Sequence, residues 1–247
     1  TSFNICTAMI ALSDINLSKI DLSGIDLRGI KLGIGGRGGS GDDSQRPWLF
    51  PDHAWTVTGK TNEDSNRDII ANVTGNGNDL KLTNFGFAEG SGYNQEGEYA
   101  GYLITDGVDD KIISSNFVMG DNWTVVGDWK FIEDKKDSAG IVKSRSLFVF
   151  NTASGLTIYI NTGSSGMSIN DTKSLKAVCS DGRIYLDDWS EVKNTQKQDA
   201  SEKELTIGNN GSNFTKIAFK NLGIYNRILS KEDCIKAYNY LQTLKAK

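Results

Sequence analysis

Between residues 122 and 132 apolar and polar positions alternate. Trp123, Val125, Gly127, Trp129 and Phe131 share one face of an extended strand, and Thr124, Val126, Asp128, Lys130 and Ile132 share the other. The first face is the core candidate. Strand-like runs recur at Ser146 to Asn151, Leu156 to Asn161, Ser174 to Cys179, Arg183 to Asp187, Glu204 to Ile207 and Thr215 to Tyr225, a spacing that predicts a sandwich of short strands. Asp181-Gly182 sits between two of them and predicts a tight hairpin with a type I′ turn, in which both central residues take positive φ. The period then changes. Ser230 can cap a helix, Asp233 holds its third position, and Cys234, Ile235, Tyr238 and Leu241 recur at helical spacing, which predicts one closing helix from Lys231 to Leu244 packed on the sandwich.

The N-terminal pattern is different. Apolar pairs at Ile15/Leu17, Ile20/Leu22, Ile25/Leu27 and Ile30/Leu32 repeat every five residues. A helix would scatter such side chains around its axis, and a flat strand would flip their face at each repeat. The spacing resembles pentapeptide-repeat β-helices, yet four pentads complete about one coil, which has no stacked neighbour to cover it. The arm is therefore expected to bury these pairs against copies of itself, with a trimer favoured, or against a larger scaffold; folding back on its own domain is the alternative. Glycines crowd the next stretch, from Gly33 to Ser44, without the Gly-Lys-Ser/Thr of a phosphate loop. The organisation read from this pattern is an arm at 1–32, a linker at 33–47 and a main domain at 48–247.

Composition narrows the picture. The two prolines and 27 glycines, with abundant Asn, Ser and Thr, favour frequent turns and an all-β fold. A net charge of -4 with scattered basic residues lacks the footprint of a nucleic-acid binder. Cys6, Cys179 and Cys234 are odd in number and without a CxxC pair, so buried free thiols are expected. The apolar run from Thr1 to Leu12 has no basic flank and is too short to span a bilayer, so no membrane insertion is expected.

Three segments carry a family resemblance: Asn72-Val73-Thr74-Gly75-Asn76-Gly77-Asn78-Asp79-Leu80-Lys81-Leu82; Leu103-Ile104-Thr105-Asp106-Gly107-Val108-Asp109-Asp110-Lys111-Ile112; and Leu205 to Asn210 followed by Lys216 to Ser230, which contains Ile224-Tyr225-Asn226-Arg227-Ile228-Leu229-Ser230. In order, they resemble the opening turn and strand, the Asp-Gly-Val-Asp-Asp segment and the last strand of the concanavalin A-like lectin/glucanase superfamily, in its laminin-G-like branch of phage and bacterial surface proteins. The resemblance runs from about Trp48 to the C-terminus. It implies an all-β jelly-roll β-sandwich (concanavalin A-like) with a short C-terminal helix, behind the repetitive extended arm. It does not select a function, because the superfamily spans lectins, glucanases, sialidase appendages and structural modules.

The chemistry then decides between those classes. Glucanases of this fold place their carboxylates as Glu-x-Asp-x-x-Glu, and no Glu-x-Asp occurs here. His53 is the sole histidine and lacks the company of a hydrolytic triad, so it reads as a packing or surface residue. The chain is thus expected not to be an enzyme. Asp106, Asp109 and Asp110 offer hard oxygens for Ca²⁺, the one cofactor considered, against the ordinary use of Asp as a backbone acceptor in turns. Sugar binding needs an exposed aromatic face beside amides or carboxylates, which Tyr93 with Asn94, or Asp187 and Asp188 with Trp189, could supply. The expected function is a structural or adhesion component of a phage-like particle, located on a virion or cell surface, with host glycans as partners. A carbohydrate-binding module of a bacterial surface protein is the alternative, and a glycoside hydrolase the third reading.

Overall fold

The computed structural model describes residues 49–115, 117, 119–132, 147–152, 155–160, 167–170, 174–194, 204–210 and 213–247. The arm with Ile15, Leu17, Ile20, Leu22, Ile25, Leu27, Ile30 and Leu32, the linker, and Cys6 lie outside these residues. In chain order the strands are β1 (His53–Thr56), β2 (Ile69–Ile70), β3 (Leu80–Thr83), β4 (Gly92–Asn94), β5 (Tyr102–Ile104), β6 (Lys111–Ser115), β7 (Thr124–Phe131), β8 (Leu147–Thr152), β9 (Gly155–Ile160), β10 (Met167–Asn170), β11 (Leu175–Cys179), β12 (Arg183–Leu186), β13 (Glu191–Lys193), β14 (Glu204–Ile207), β15 (Asn209–Asn210), β16 (Asn213–Phe214) and β17 (Ile217–Tyr225), followed by helix α1 (Lys231–Thr243).

All pairings are antiparallel. The large sheet runs β13-β12-β11-β7-β17-β5-β4, with β1 also on β17; a second sheet runs β14-β6-β3-β2, and a third β10-β9-β8. The core lies between the large sheet and the two smaller ones: Trp55, Val125, Trp129, Phe131, Phe219 and Ile224 meet Ile70, Leu80, Ile112, Leu205 and Ile207 from one, and Val149, Leu156, Ile158 and Ile169 from the other. The fold is an all-β sandwich closed by one short helix. The face of β7 chosen from alternation is the core face. The partnerless Cβ position of Gly127 is filled by the Trp129 ring, which a side chain there would meet at 2.4 Å.

Along β17 the apolar positions read Ile217, Phe219, Leu222, Ile224, a pattern of two broken by one extra residue. The break is a bulge: Phe219 pairs with Trp129 and Asn221 with Asp128, leaving Lys220 unmatched. The extra residue restores Leu222 and Ile224 to the core side.

Two expectations about local structure meet different outcomes. The Asp181-Gly182 hairpin forms, joining β11 to β12. Its turn is not type I′, because Gly182 has φ 95° while Asp181 is not among the positive-φ residues. Gly182 N–H donates to Cys179 O at 3.0 Å, so Ser180 and Asp181 are the central pair of a turn and Gly182 is the left-handed residue of a three-residue loop. The helix forms as expected. Ser230 caps it by accepting from Asp233 N–H at 3.1 Å.

That helix packs on the outer face of the large sheet. Cys234, Ala237 and Leu241 bury against Ala54, Val126, Ala177, Cys179, Tyr185 and Tyr225. Close approach needs Gly223, where an added Cβ would stand 3.0 Å from both Leu241 methyls. Thr124 fixes the chain entering the helix: its hydroxyl donates to Arg227 O and accepts from Leu229 N–H, both at 2.9 Å. Cys179 and Cys234 are buried free thiols. His53 is a packing residue, stacked on Trp55 at 5.8 Å and joined through Nδ1 to the Asn72 amide at 2.8 Å.

Candidate functional site

Because α1 covers only part of the outer face, a band of the large sheet beside it stays open. Strand register assigns the residues. Tyr93 and Leu103 are partners and both enter the core, so their neighbours Asn94 and Tyr102, also partners, point outward. Lys220 follows on β17, Asp128 and Lys130 on β7, and Lys176 on β11. Asp187, Asp188 and Trp189 turn the chain from β12 to β13 at the end of the row.

Asp128 anchors the band at 6% exposure. It accepts from the Tyr102 hydroxyl at 3.0 Å, the Tyr238 hydroxyl at 3.2 Å and the Gln242 amide at 3.3 Å. Burial, and then the Asp128 charge, push both phenols above their ordinary range, so they remain donors at any physiological pH. Lysines ring them. Lys130 and Lys220 lie over the Tyr102 ring at 5.9 and 5.5 Å, and Lys176 lies over Tyr238 at 4.4 Å. Lys176 also donates to the Tyr238 hydroxyl at 2.9 Å and pairs with Asp187 at 3.6 Å, while Ser174 donates to the same carboxylate.

Trp189 is held by its backbone. Its N–H donates to Leu186 O at 3.0 Å, and its φ is 63°, the left-handed region that glycine fills at the preceding hairpin. The ring packs edge-on to Tyr238 at 5.7 Å and beside Tyr185 at 6.4 Å. Asp188 is spent on its own turn, accepting from Ser190 N–H at 2.8 Å; the Ser190 hydroxyl, and then this backbone bond, lower its pKa.

The structure thus brings Asn94, Asp187 and Trp189 to one face, although they come from two separate sequence candidates. Tyr93 does not join them. Its ring is a core residue at 3% exposure, with its hydroxyl donating to Arg67 O at 2.7 Å, so it has no open face for a ligand. Sequence reasoning missed Tyr102, Asp128, Lys130, Lys176, Lys220 and Tyr238. The signal available was the alternation of β7, which sets Asp128 and Lys130 on the face opposite the aromatic core.

The carboxylates of Asp106, Asp109 and Asp110 do lie within 4.8 Å of one another. Asp106 Oδ1 accepts from the N–H groups of Val108, Asp109 and Asp110 at 2.7, 3.2 and 3.4 Å. Asp110 accepts from Asp106 N–H at 2.7 Å and the Ser91 hydroxyl at 3.1 Å. Burial raises the Asp110 pKa to about 6 despite these bonds. Two of the three carboxylates accept hydrogen bonds from the loop's own donors. They staple the turn.

Chemically, the band gathers phenols, an indole, ammonium donors and carboxylate acceptors, the kinds of group that recognise a hydroxylated ring. No protein-family model matches the sequence, and no curated protein matches it. Among solved structures, this chain is similar to Trypanosoma rangeli sialidase in complex with sialic acid over 78% of its own length, at 11% identity and a TM-score of 0.55. The same sialidase as a covalent intermediate with difluorosialic acid gives 10% identity and a TM-score of 0.55. A tryptophan-to-alanine mutant of HCR/D gives 12% identity and a TM-score of 0.53 over 78% of this chain. The chain spans 33% of the sialidase and 52% of HCR/D. The expectation that the chain is not an enzyme is corrected by this likeness: about a third of a sialidase shares this fold, and a missing Glu-x-Asp-x-x-Glu does not exclude activity. What the three have in common with this chain is the β-sandwich.

Proposed function

We propose that the chain is a glycan-binding β-sandwich of the laminin-G-like kind, which engages sugar on the open band beside α1. The observation that carries this reading is the placement of Tyr102, Tyr238 and Trp189 among Lys130, Lys176, Lys220, Asp128 and Asp187 on one sheet face. Aromatic faces take the ring's C–H groups, and the charged groups fix its hydroxyls. The sialic acid complex among its structural neighbours supports the sugar class. In this reading the domain is displayed on a virion or cell surface, and the arm at 1–32 joins copies of the chain or attaches them to a larger particle.

A glycan array tests it. The parent chain binds a subset of glycans, and Tyr102→Ala with Lys220→Gln loses them while melting cooperatively. Binding by that variant at parental level removes the band as the site. Because sialidases share the fold, the bound glycans are also assayed for released sugar; release that Asp128→Asn abolishes would make the band a hydrolytic site.

A further inference from the structure

A concavity lies at the C-terminal end of α1. Its volume is about 500 Å³, and Phe50, Ala54, Val73, Tyr240 and Leu244 form its apolar walls, with Thr74, Asn76, Lys245 and Lys247 at its polar side. That volume is within the range of small-ligand sites, about 300–1,000 Å³. Phe50 is 44% exposed and meets Tyr240 edge-on, with ring centroids 5.3 Å apart. The two lysines are placed by the backbone. Leu244 is extended, and Ala246 N–H donates to Thr58 O at 3.0 Å, so alternation sets the residues on either side of Ala246 to the same side.

No side-chain carboxylate lines the cavity, and neither lysine side chain is paired with one among the described residues, although the chain as a whole carries a net charge of -4. The nearby Asp52 is already engaged by Asn226 N–H at 2.7 Å and by Arg227 at 3.4 Å. Asn76 donates to Asp52 O at 2.7 Å, which leaves its amide oxygen to accept. An aromatic pair, an amide acceptor and two ammoniums together match a ring with apolar C–H faces, hydroxyls and a single negative charge. The carbonyl end of α1 borders the cavity and disfavours a doubly charged phosphate relative to a carboxylate.

We propose that this cavity binds the carboxylate-bearing pyranose at the end of an acidic glycan. The site is separate from the open band, since neither Tyr102 nor Lys220 lines it. The probes are the methyl glycosides of glucuronic acid and N-acetylneuraminic acid, with methyl glucoside and methyl N-acetylglucosaminide as neutral counterparts, titrated into the full chain by calorimetry and saturation-transfer NMR. At least one acidic glycoside binds and both neutral ones bind more weakly; Lys245→Gln with Lys247→Gln weakens the acidic one by about tenfold or more, as loss of charge-assisted hydrogen bonds requires, and Phe50→Ala weakens it independently. Tyr102→Ala with Lys220→Gln removes whatever the band contributes, and the acidic probe that this variant still binds depends on Phe50 and the two lysines. Failure of both acidic probes, equal binding of neutral sugars, or full affinity in the lysine variant overturns the proposal. If the lysines serve only the helix end, that variant lowers Tm and leaves binding unchanged, which also overturns it.

Discussion

Trp189 combines a strained backbone with a packed ring, and the two parts separate by substitution. A non-glycine residue in the left-handed region costs roughly 1–2 kcal/mol. Trp189→Ala keeps that strain and loses the ring, whereas Trp189→Gly loses the ring and the strain together. The glycine variant should therefore be the more stable of the two by about 1 kcal/mol in urea unfolding. Asp110 makes a prediction about pH. Its folded pKa of about 6 exceeds that of the unfolded chain, so the folded state keeps a proton the unfolded state has released. Its contribution to stability is full below pH 4 or so and is lost as pH rises through about 6. Unfolding free energies between pH 4.5 and 7 should fall with pH, and Asp110→Asn should flatten that slope. Carbon NMR should find this carboxyl titrating near pH 6.

Elements differ in how plainly the chain announces them. Helix α1 was legible because Ser230 caps it and its apolar residues repeat at helical spacing; β7 was legible because Val125, Trp129 and Phe131 fall on alternate positions that continue from Trp123. Strands β1, β4 and β13 have three or four residues each, too few to display a period, and their existence depends on the neighbours they pair with. The turn after β11 was located correctly and typed wrongly, since Asp-Gly suits either loop and only the partner strand decides. Gly182 shows why. A Cβ there would stand 1.8 Å from Asn194 O, and Asn194 N–H donates to Gly182 O at 2.8 Å. Gly182→Ala should cost about 2 kcal/mol or more and loosen β13; hydrogen exchange at Arg183 to Lys193 reads that loosening. Under the helix, Leu241→Ala removes a fully buried side chain and should cost about 2–4 kcal/mol. A similar Tm in that variant would mean that α1 is not held by the sheet.

At the scale of the molecule, the open band collects Asn94, Tyr102, Asp128, Lys176, Asp187, Lys220 and Tyr238 from seven places in the chain. No local pattern could unite them, because each was brought there by pairing across β4, β5, β17, β7, β11 and β12 and by the docking of α1. Only the fragments at Asn94 and Asp187 to Trp189 were visible beforehand, as short aromatic and polar clusters. The arm's role is decided by mass. Light scattering on the full chain and on a version beginning at Ser44 should give an oligomer and a monomer; two monomers would end the assembly reading. The contact between Phe50 and Tyr240, with Ala246 tied to Thr58, bears on architecture in another way. The two ends of the sandwich meet at one corner, so a short linker should close them and allow new termini to be cut in a distant loop. The same closeness would let the whole sandwich be grafted into a single surface turn of a host protein, entering and leaving at nearly one point.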